Sequence, residues 1–557
     1  MDMTTRSKSR KSGKKESEST LLLVEPEAAS LPSAAVPSPA PAAPQVKLEP
    51  PKVKPEAKQD GPQASSKSDS RNDAKANNPQ DFPVPDFEAL SLNLARATEQ
   101  TGKALAAWLK PFEQGETAPD TSGQVADAVR TFGAVADYWL ADPQRAMEAQ
   151  QKLTGSLFEL WGATWKRMSG EEAAPVAVPE PGDKRFSDPS WQAMPAFDFL
   201  RQAYLISTRW ANEMIDQADT IDPATKEKAT FYLRQITGAL SPSNFLATNP
   251  ELMRKTLTEN GANLVRGLQM FAEDIEAGKG NLRIRQADAS KFLLGRDMAT
   301  TPGKVVFQND LIELIQYAPA TPTVYKRPLL IVPPWINKFY VLDLNPEKSF
   351  VRFCVEQGLT VFVISWVNPD ERHASKGFSA YIQEGMLAAL DAVEKATGER
   401  HVTTIGYCVG GTLLAIALAL MAQLRDDRID SATFFTTQVD FTDAGDLKWF
   451  AGAENIAAIE KKMMERGYLD SAQMATAFNM LRPNELIWQY VVNNYIKGVD
   501  PAAFDLLAWN SDSTRMPAAN HSYYLRNCYL ENNLTRGLLE LDGRHLSLKD
   551  VTIPVYN

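Results

Sequence analysis

The 557-residue chain carries 59 Lys or Arg against 69 Asp or Glu, a formal net charge of −10, which argues against a nucleic-acid partner held by overall charge. Its cysteines, Cys354, Cys408 and Cys528, are odd in number and widely spaced, so neither a disulfide framework nor a metal site is expected, and they suit a reducing cytoplasm. The basic start lacks the apolar core of a secretory signal, and the histidines are few: His373, His401, His521 and His545.

Residues 1–80 are dominated by Ser, Pro, Ala, Lys and Glu, a composition that buries too little apolar surface to offset ordering entropy, so this tail is expected to be disordered. Its tip reads as a solvated basic run, with contact to an anionic surface as the alternative. Residues 81–280 read as a helical N-terminal domain. Asp86 is placed as an N-cap, with Leu90, Leu94 and Ala97 on one face of the helix and Leu105 and Trp108 further along it. Asp142-Pro143 starts another helix, whose stripe of Leu153, Leu157, Leu160, Trp161 and Met168 is assigned to core packing, with partner docking as the alternative. A break is expected at 240–244.

The next domain is taken from residue 281, and after Gly303 the pattern changes. Lys304–Tyr317 reads as a hairpin turning at Asn309-Asp310, and Pro328–Val332, Leu359–Ser365, Val402–Ile405, Ser431–Val439 and Val551–Asn557 read as strands. A helix over Tyr381–Thr397 leads to the elbow strand, and strands alternating with helices imply a parallel sheet. Residues 441–540 read as a largely helical insertion, a cap rich in Met and aromatics. The fold class expected is therefore α/β, an α/β-hydrolase fold over 281–557 with a helical cap.

Gly406-Tyr-Cys-Val-Gly410 joins a β-branched strand to the apolar helix TLLAIALALMAQL and is a G-x-C-x-G nucleophile elbow, which places Cys408 as the nucleophile. A membrane span over 405–424 is the weaker reading, because polar and glycine residues interrupt a run that would need about 20 apolar residues. A structural thiol at Cys408 is the other alternative. One oxyanion donor is expected at the N–H of Val409. The other is assigned to Trp335 or Ile336, since Pro333 and Pro334 have no N–H to offer. A cysteine nucleophile forms a thioester, which keeps an acyl group received from coenzyme A activated, so the elbow leans toward acyl transfer over hydrolysis.

The elbow resembles that of polyhydroxyalkanoate synthases, the bacterial polyester polymerases. So do Arg185–Trp191, Leu240–Phe245, Val332–Asp343, Ser365–Asp370, Phe504–Asp512 and Tyr524–Asn532, in order and from about residue 85 onward. The chain size and the Val after Cys408 are similar to class I enzymes, which implies polymerisation of short (R)-3-hydroxyacyl-CoA such as 3-hydroxybutyryl-CoA. The resemblance further implies a cytoplasmic homodimer attached to the polyester granule, with no metal or bound cofactor and coenzyme A as leaving group. It matches Cys408 to the acylated nucleophile and Asp343 to a supporting family Asp. No transmembrane segment is expected.

In this fold an acid and a histidine follow the nucleophile in the chain. The family's acid lies just past a strand matching Val551–Tyr556, with its histidine further on, whereas this sequence stops at Asn557. Neither His521 nor His545 fits the base position, so the sequence reads as a C-terminally incomplete synthase. A cysteine thioesterase or hydrolase of the same fold, or a catalytically dead granule-associated protein, are the competing readings.

Overall fold

The structure, a computed structural model, describes residues 82–113 and 122–557; the tail expected over 1–80 lies outside them. Among the described residues eight α-helices come first: α1 (Phe87–Glu113), α2 (Ser122–Leu140), α3 (Pro143–Met168), α4 (Ser190–Ala193), α5 (Pro195–Asp216), α6 (Pro223–Ala239), α7 (Pro250–Thr258) and α8 (Ala262–Ala277). Asp86 accepts from the N–H groups of Glu88 and Ala89, and Asp142 from those of Gln144 and Arg145, so both expected N-caps form. Proline opens α3, α5, α6 and α7, where its missing N–H leaves no bond unmade. The break expected at 240–244 is a short 3-10 turn, locked by the buried Asn244 amide donating to Gly238 O at 2.7 Å.

Two faces differ from the sequence expectation. On α1, Ala97 and Ala104 are the buried stripe, packed on α8, while Leu94, Leu105 and Trp108 are exposed. Small side chains let the two backbones approach, a preference that reading by hydrophobicity overlooks. On α3, Leu160 is fully buried, with Leu153 and Leu157 packed beside it, but Trp161 and Met168 stand outside with Phe158 and Trp165.

The sheet begins with the hairpin of β1 (Gly303–Gln308) and β2 (Ile312–Tyr317), in register from Gly303↔Tyr317 to Gln308↔Glu313. The Asn309 side chain accepts from the N–H groups of Leu311 and Ile312, which sets the turn. β3 (Leu329–Val332), β4 (Val361–Trp366), β5 (Val402–Tyr407) and β6 (Ile429–Phe435) follow, and Val555–Tyr556 closes the order β1-β2-β4-β3-β5-β6-(555–556). From β4 onward every pairing is parallel. All four residues of β3 are buried, as a central strand covered on both faces requires.

β6 stops at Phe435, four residues short of expectation, because Thr436 turns to φ +48° and the chain leaves to wrap the elbow. The last strand is likewise shorter: Leu548–Asp550 form a 3-10 turn and pairing starts only at Val555. The helix expected over 381–397 is present, its first turns widened to π geometry over Tyr381–Leu387.

Residues 445–536, the region expected as a cap, are mainly helical, with irregular stretches such as 498–504 and a two-strand ribbon pairing Tyr468–Leu469 with Met516–Pro517. The N-terminal helices grip it. Gly267 of α8 packs directly on the Tyr495 backbone, Tyr495 Oη donates to Asp274 at 2.6 Å, and Asn263 donates to Ile496 O at 2.9 Å. Arg130–Glu454 and Arg234–Asp446, both 2.6 Å, are exposed ion pairs along the same seam. Among the described residues no helix is long and apolar enough to cross a membrane.

Candidate active site at the Cys408 elbow

The helix Val409–Leu424 is buried continuously from Val409 to Met421. Each fully covered Leu or Ile contributes about 1.5–3 kcal/mol, enough to hold the preceding turn in an unfavourable shape. Cys408 takes φ +54°, ψ −128°, a conformation that costs about 1–3 kcal/mol for a side-chain-bearing residue. Its N–H donates to Phe435 O at 2.9 Å, and its carbonyl accepts from Gly411 N–H at 2.9 Å and Thr412 N–H at 3.2 Å. Thr412 Oγ1 donates to Gln438 O at 2.7 Å, so the loop after β6 is tied to the same turn.

The glycines are there for close approach. A Cβ on Gly406 would sit 2.5 Å from Gly411 Cα. One on Gly410 would sit 2.5 Å from Pro333 O and closer still to Val332 O. That second contact brings together two segments far apart in the chain: the elbow helix starts against the end of β3 and the loop that begins at Pro333.

That loop is held from its other side. The Trp366 indole, at the end of β4, donates to Pro333 O at 2.8 Å within the core. Trp335 is buried, its ring 5.7 Å from Phe378, 5.6 Å from Tyr381 and 5.6 Å from Tyr524, and Ile336 packs on the same cluster. The backbone N–H groups of Trp335 and Ile336 donate to no acceptor among the described residues. Val409 N–H lies against the sulfur and favours thiolate, but burial is the larger influence and pushes the Cys408 thiol up.

Asp343 is nearly fully buried. Its carboxylate accepts from Thr301 Oγ1 at 2.6 Å, from Thr301 N–H at 3.2 Å and from the Ser349 hydroxyl. Its carbonyl also receives Ala299 N–H. This residue fastens the segment before β1 to the stretch that follows the Pro333–Ile336 loop. Its contacts are those of an anchor.

Among the described residues no histidine is hydrogen-bonded to Cys408. His373 Nδ1 pairs with Asp370 and its Nε2 faces Asp310 O; His401 pairs with Asp430 at the opposite end of β5. His521 is buried in the cap with Nδ1 unpartnered, and burial pulls its pKa down to about 4. His545 sits on the ribbon Leu539–Leu541/Arg544–Leu546, where its carbonyl accepts from Gln423 near the far end of the elbow helix. The described residues also contain no group of three or more His, Cys, Asp or Glu arranged to hold a metal.

Aromatic residues of the insertion expected over 441–540 pack on the elbow's side of the core, in one cluster with Cys408. Phe441, Tyr524 and Tyr529 pack on one another at 4.9–6.1 Å, and both tyrosines interact electrostatically with Cys408. Which aromatic residues of the insertion join the cluster with Cys408 is decided by tertiary packing.

Fold and site together define an α/β-hydrolase-fold protein with cysteine at the nucleophile elbow. The family described as "Poly-beta-hydroxybutyrate polymerase (PhaC) N-terminus" matches residues 182–354, and the alpha/beta hydrolase fold family matches residues 327–526. The poly(3-hydroxyalkanoate) polymerase subunit PhaC of Rhizobium meliloti (strain 1021) is 59% identical over 474 residues, covering 85% of this chain and 78% of that one. The poly(3-hydroxyalkanoate) polymerase of Methylorubrum extorquens is 58% identical over 85% of this chain and 80% of its own. The polymerase subunit of Cupriavidus necator is 36% identical over 81% and 76%. The chain belongs to the poly(3-hydroxyalkanoate) polymerase family.

Proposed function

We propose that Cys408 carries the growing acyl chain. As a member of its family the chain is an acyltransferase that joins hydroxyacyl units from coenzyme A thioesters into polyester. In the proposed first step the Cys408 sulfur forms a bond to the thioester carbonyl carbon, the bond to the coenzyme A sulfur breaks, and coenzyme A departs as the thiol. The 3-hydroxyl of another unit then attacks the acyl-Cys408 carbonyl, gives up its proton, and regenerates the Cys408 thiol as the ester forms. Val409 N–H, with Trp335 or Ile336 N–H across the Gly410 contact, would stabilise the oxyanion in each step.

The observation that carries this reading is the junction at Gly410. It sets a strained, part-buried cysteine beside a loop whose N–H groups have no other acceptor. Both steps need a base within hydrogen-bond reach, and none of the four histidines occupies that place among the described residues. We further propose short (R)-3-hydroxyacyl-CoA as substrate, no bound cofactor, and a cytoplasmic homodimer attached to the polyester granule. The exposed Phe158, Trp161, Trp165 and Met168 of α3 offer the apolar surface that such attachment requires. The test is incubation of the protein made from its full coding sequence with 3-hydroxybutyryl-CoA. Release of coenzyme A with polyester is expected; free hydroxy acid without polyester would make the chain a thioesterase, and no release would overturn the acyl-transfer mechanism.

A further inference from the structure

Tyr524 belongs to the buried cluster against which both Cys408 and Tyr529 pack. Tyr524 is buried, edge-on to Trp335 of the loop after β3, and Tyr529 is only part-buried, packed at 5.5 Å and 90° on Tyr524. Neither phenol donates to a backbone or carboxylate acceptor among the described residues. Their neighbour Tyr523 does, to Glu540 O at 2.7 Å, and so do Tyr340 and Tyr495, to Asp512 and Asp274. Instead Tyr524 and Tyr529 interact with each other and with Cys408. Burial keeps both phenols protonated at neutral pH, so they serve as donors and not as a base.

In the proposed acyl-enzyme the backbone N–H groups would hold the carbonyl, and these phenols, packed in the same cluster as Cys408, would face the rest of the acyl group. The polar atom there is the oxygen on C3, two carbons beyond the carbonyl: a hydroxyl in a fresh unit, an ester oxygen in a grown chain. We propose that Tyr529 donates a hydrogen bond to that 3-oxygen and is the residue that selects 3-hydroxyacyl over unsubstituted acyl groups, with Tyr524 positioning its hydroxyl. This rests on acylation of Cys408.

The test measures single-turnover acylation of the full chain by 3-hydroxybutyryl-CoA and by butyryl-CoA, read as protein-bound acyl group by mass. A site built around a hydroxyl discriminates strongly against its absence. Tyr529→Phe is expected to lower the ratio of the two rates by about 10-fold or more, mainly by slowing the hydroxylated substrate. Tyr524→Phe is expected to move the ratio the same way by less, and Tyr523→Phe to leave it alone. Equal slowing of both substrates in Tyr529→Phe, or an unchanged ratio, would overturn the proposal. The ratio is internal to each variant, so loss of folded protein cannot mimic the effect. Acylation of no residue by either substrate would refute Cys408 as nucleophile instead.

Discussion

Replacing Gly410 with alanine should separate the elbow from the loop that faces it. The added Cβ would lie 2.5 Å from Pro333 O and closer to Val332 O, both backbone atoms, whereas ordinary contacts begin at 3.4 Å. Relief therefore needs a shift of about 1 Å between helix and loop. β3 is buried along its length and Pro333 is held by the Trp366 indole, so the loop cannot move without loosening the core. Overpacking of this kind costs about 1–3 kcal/mol of stability, and a 1 Å misplacement of reacting groups costs about 100-fold in rate. In coenzyme A release assays Gly410→Ala is expected to be about 100-fold slower than the parent, with a lowered Tm. Gly162→Ala, in α3 with open space around it, should keep full activity and be slightly more stable, by up to about 1 kcal/mol. A Gly410→Ala protein with parental rate and Tm would refute the idea that this junction builds the oxyanion site.

Gly267→Ala places a Cβ 2.5 Å from Tyr495 C and closer to its O, so it should lower Tm through about 1–3 kcal/mol of overpacking and raise protease sensitivity within 445–536; unchanged proteolysis would show that α8 does not hold the cap. Asp343→Asn removes the charge that Thr301 and Ser349 share and should cost about 1–3 kcal/mol in denaturant unfolding; loss of rate without loss of stability would make the residue catalytic rather than an anchor. His521 has a folded pKa near 4 against a reference of 6.5, so protonation favours the unfolded chain. Its contribution is full above pH 6.5 and is lost as pH falls toward 4, the loss amounting to about 3 kcal/mol at the acid end. His521→Gln should flatten the stability profile between those pH values; an acid limb of unchanged size would contradict the burial argument.

Local signals located the elbow correctly. A β-branched strand, two spaced glycines and an apolar helix are enough to place Cys408, because each follows from backbone sterics within a dozen residues. The hairpin at Asn309 and the caps at Asp86 and Asp142 were legible for the same reason. Features decided across the chain were not. The buried face of α1 is set by alanines that meet α8, and Trp161 looks like core by spacing although it stands outside. β6 ends early because Thr436 turns toward an elbow far from it in sequence. Which of the tyrosines in 441–540 join the cluster with Cys408 depends on tertiary contacts, and no periodicity encodes that. Asp343 was recognisable only through a resemblance, since its partners Thr301 and Ser349 lie on separate segments.

The most direct test of the account is the mass of the peptide containing Cys408 after brief mixing of the protein, made from its full coding sequence, with 3-hydroxybutyryl-CoA. A hydroxybutyryl adduct on Cys408, absent from Cys408→Ala together with coenzyme A release, is the predicted result. Coenzyme A release that persists undiminished in Cys408→Ala, or an adduct on another residue, would contradict it.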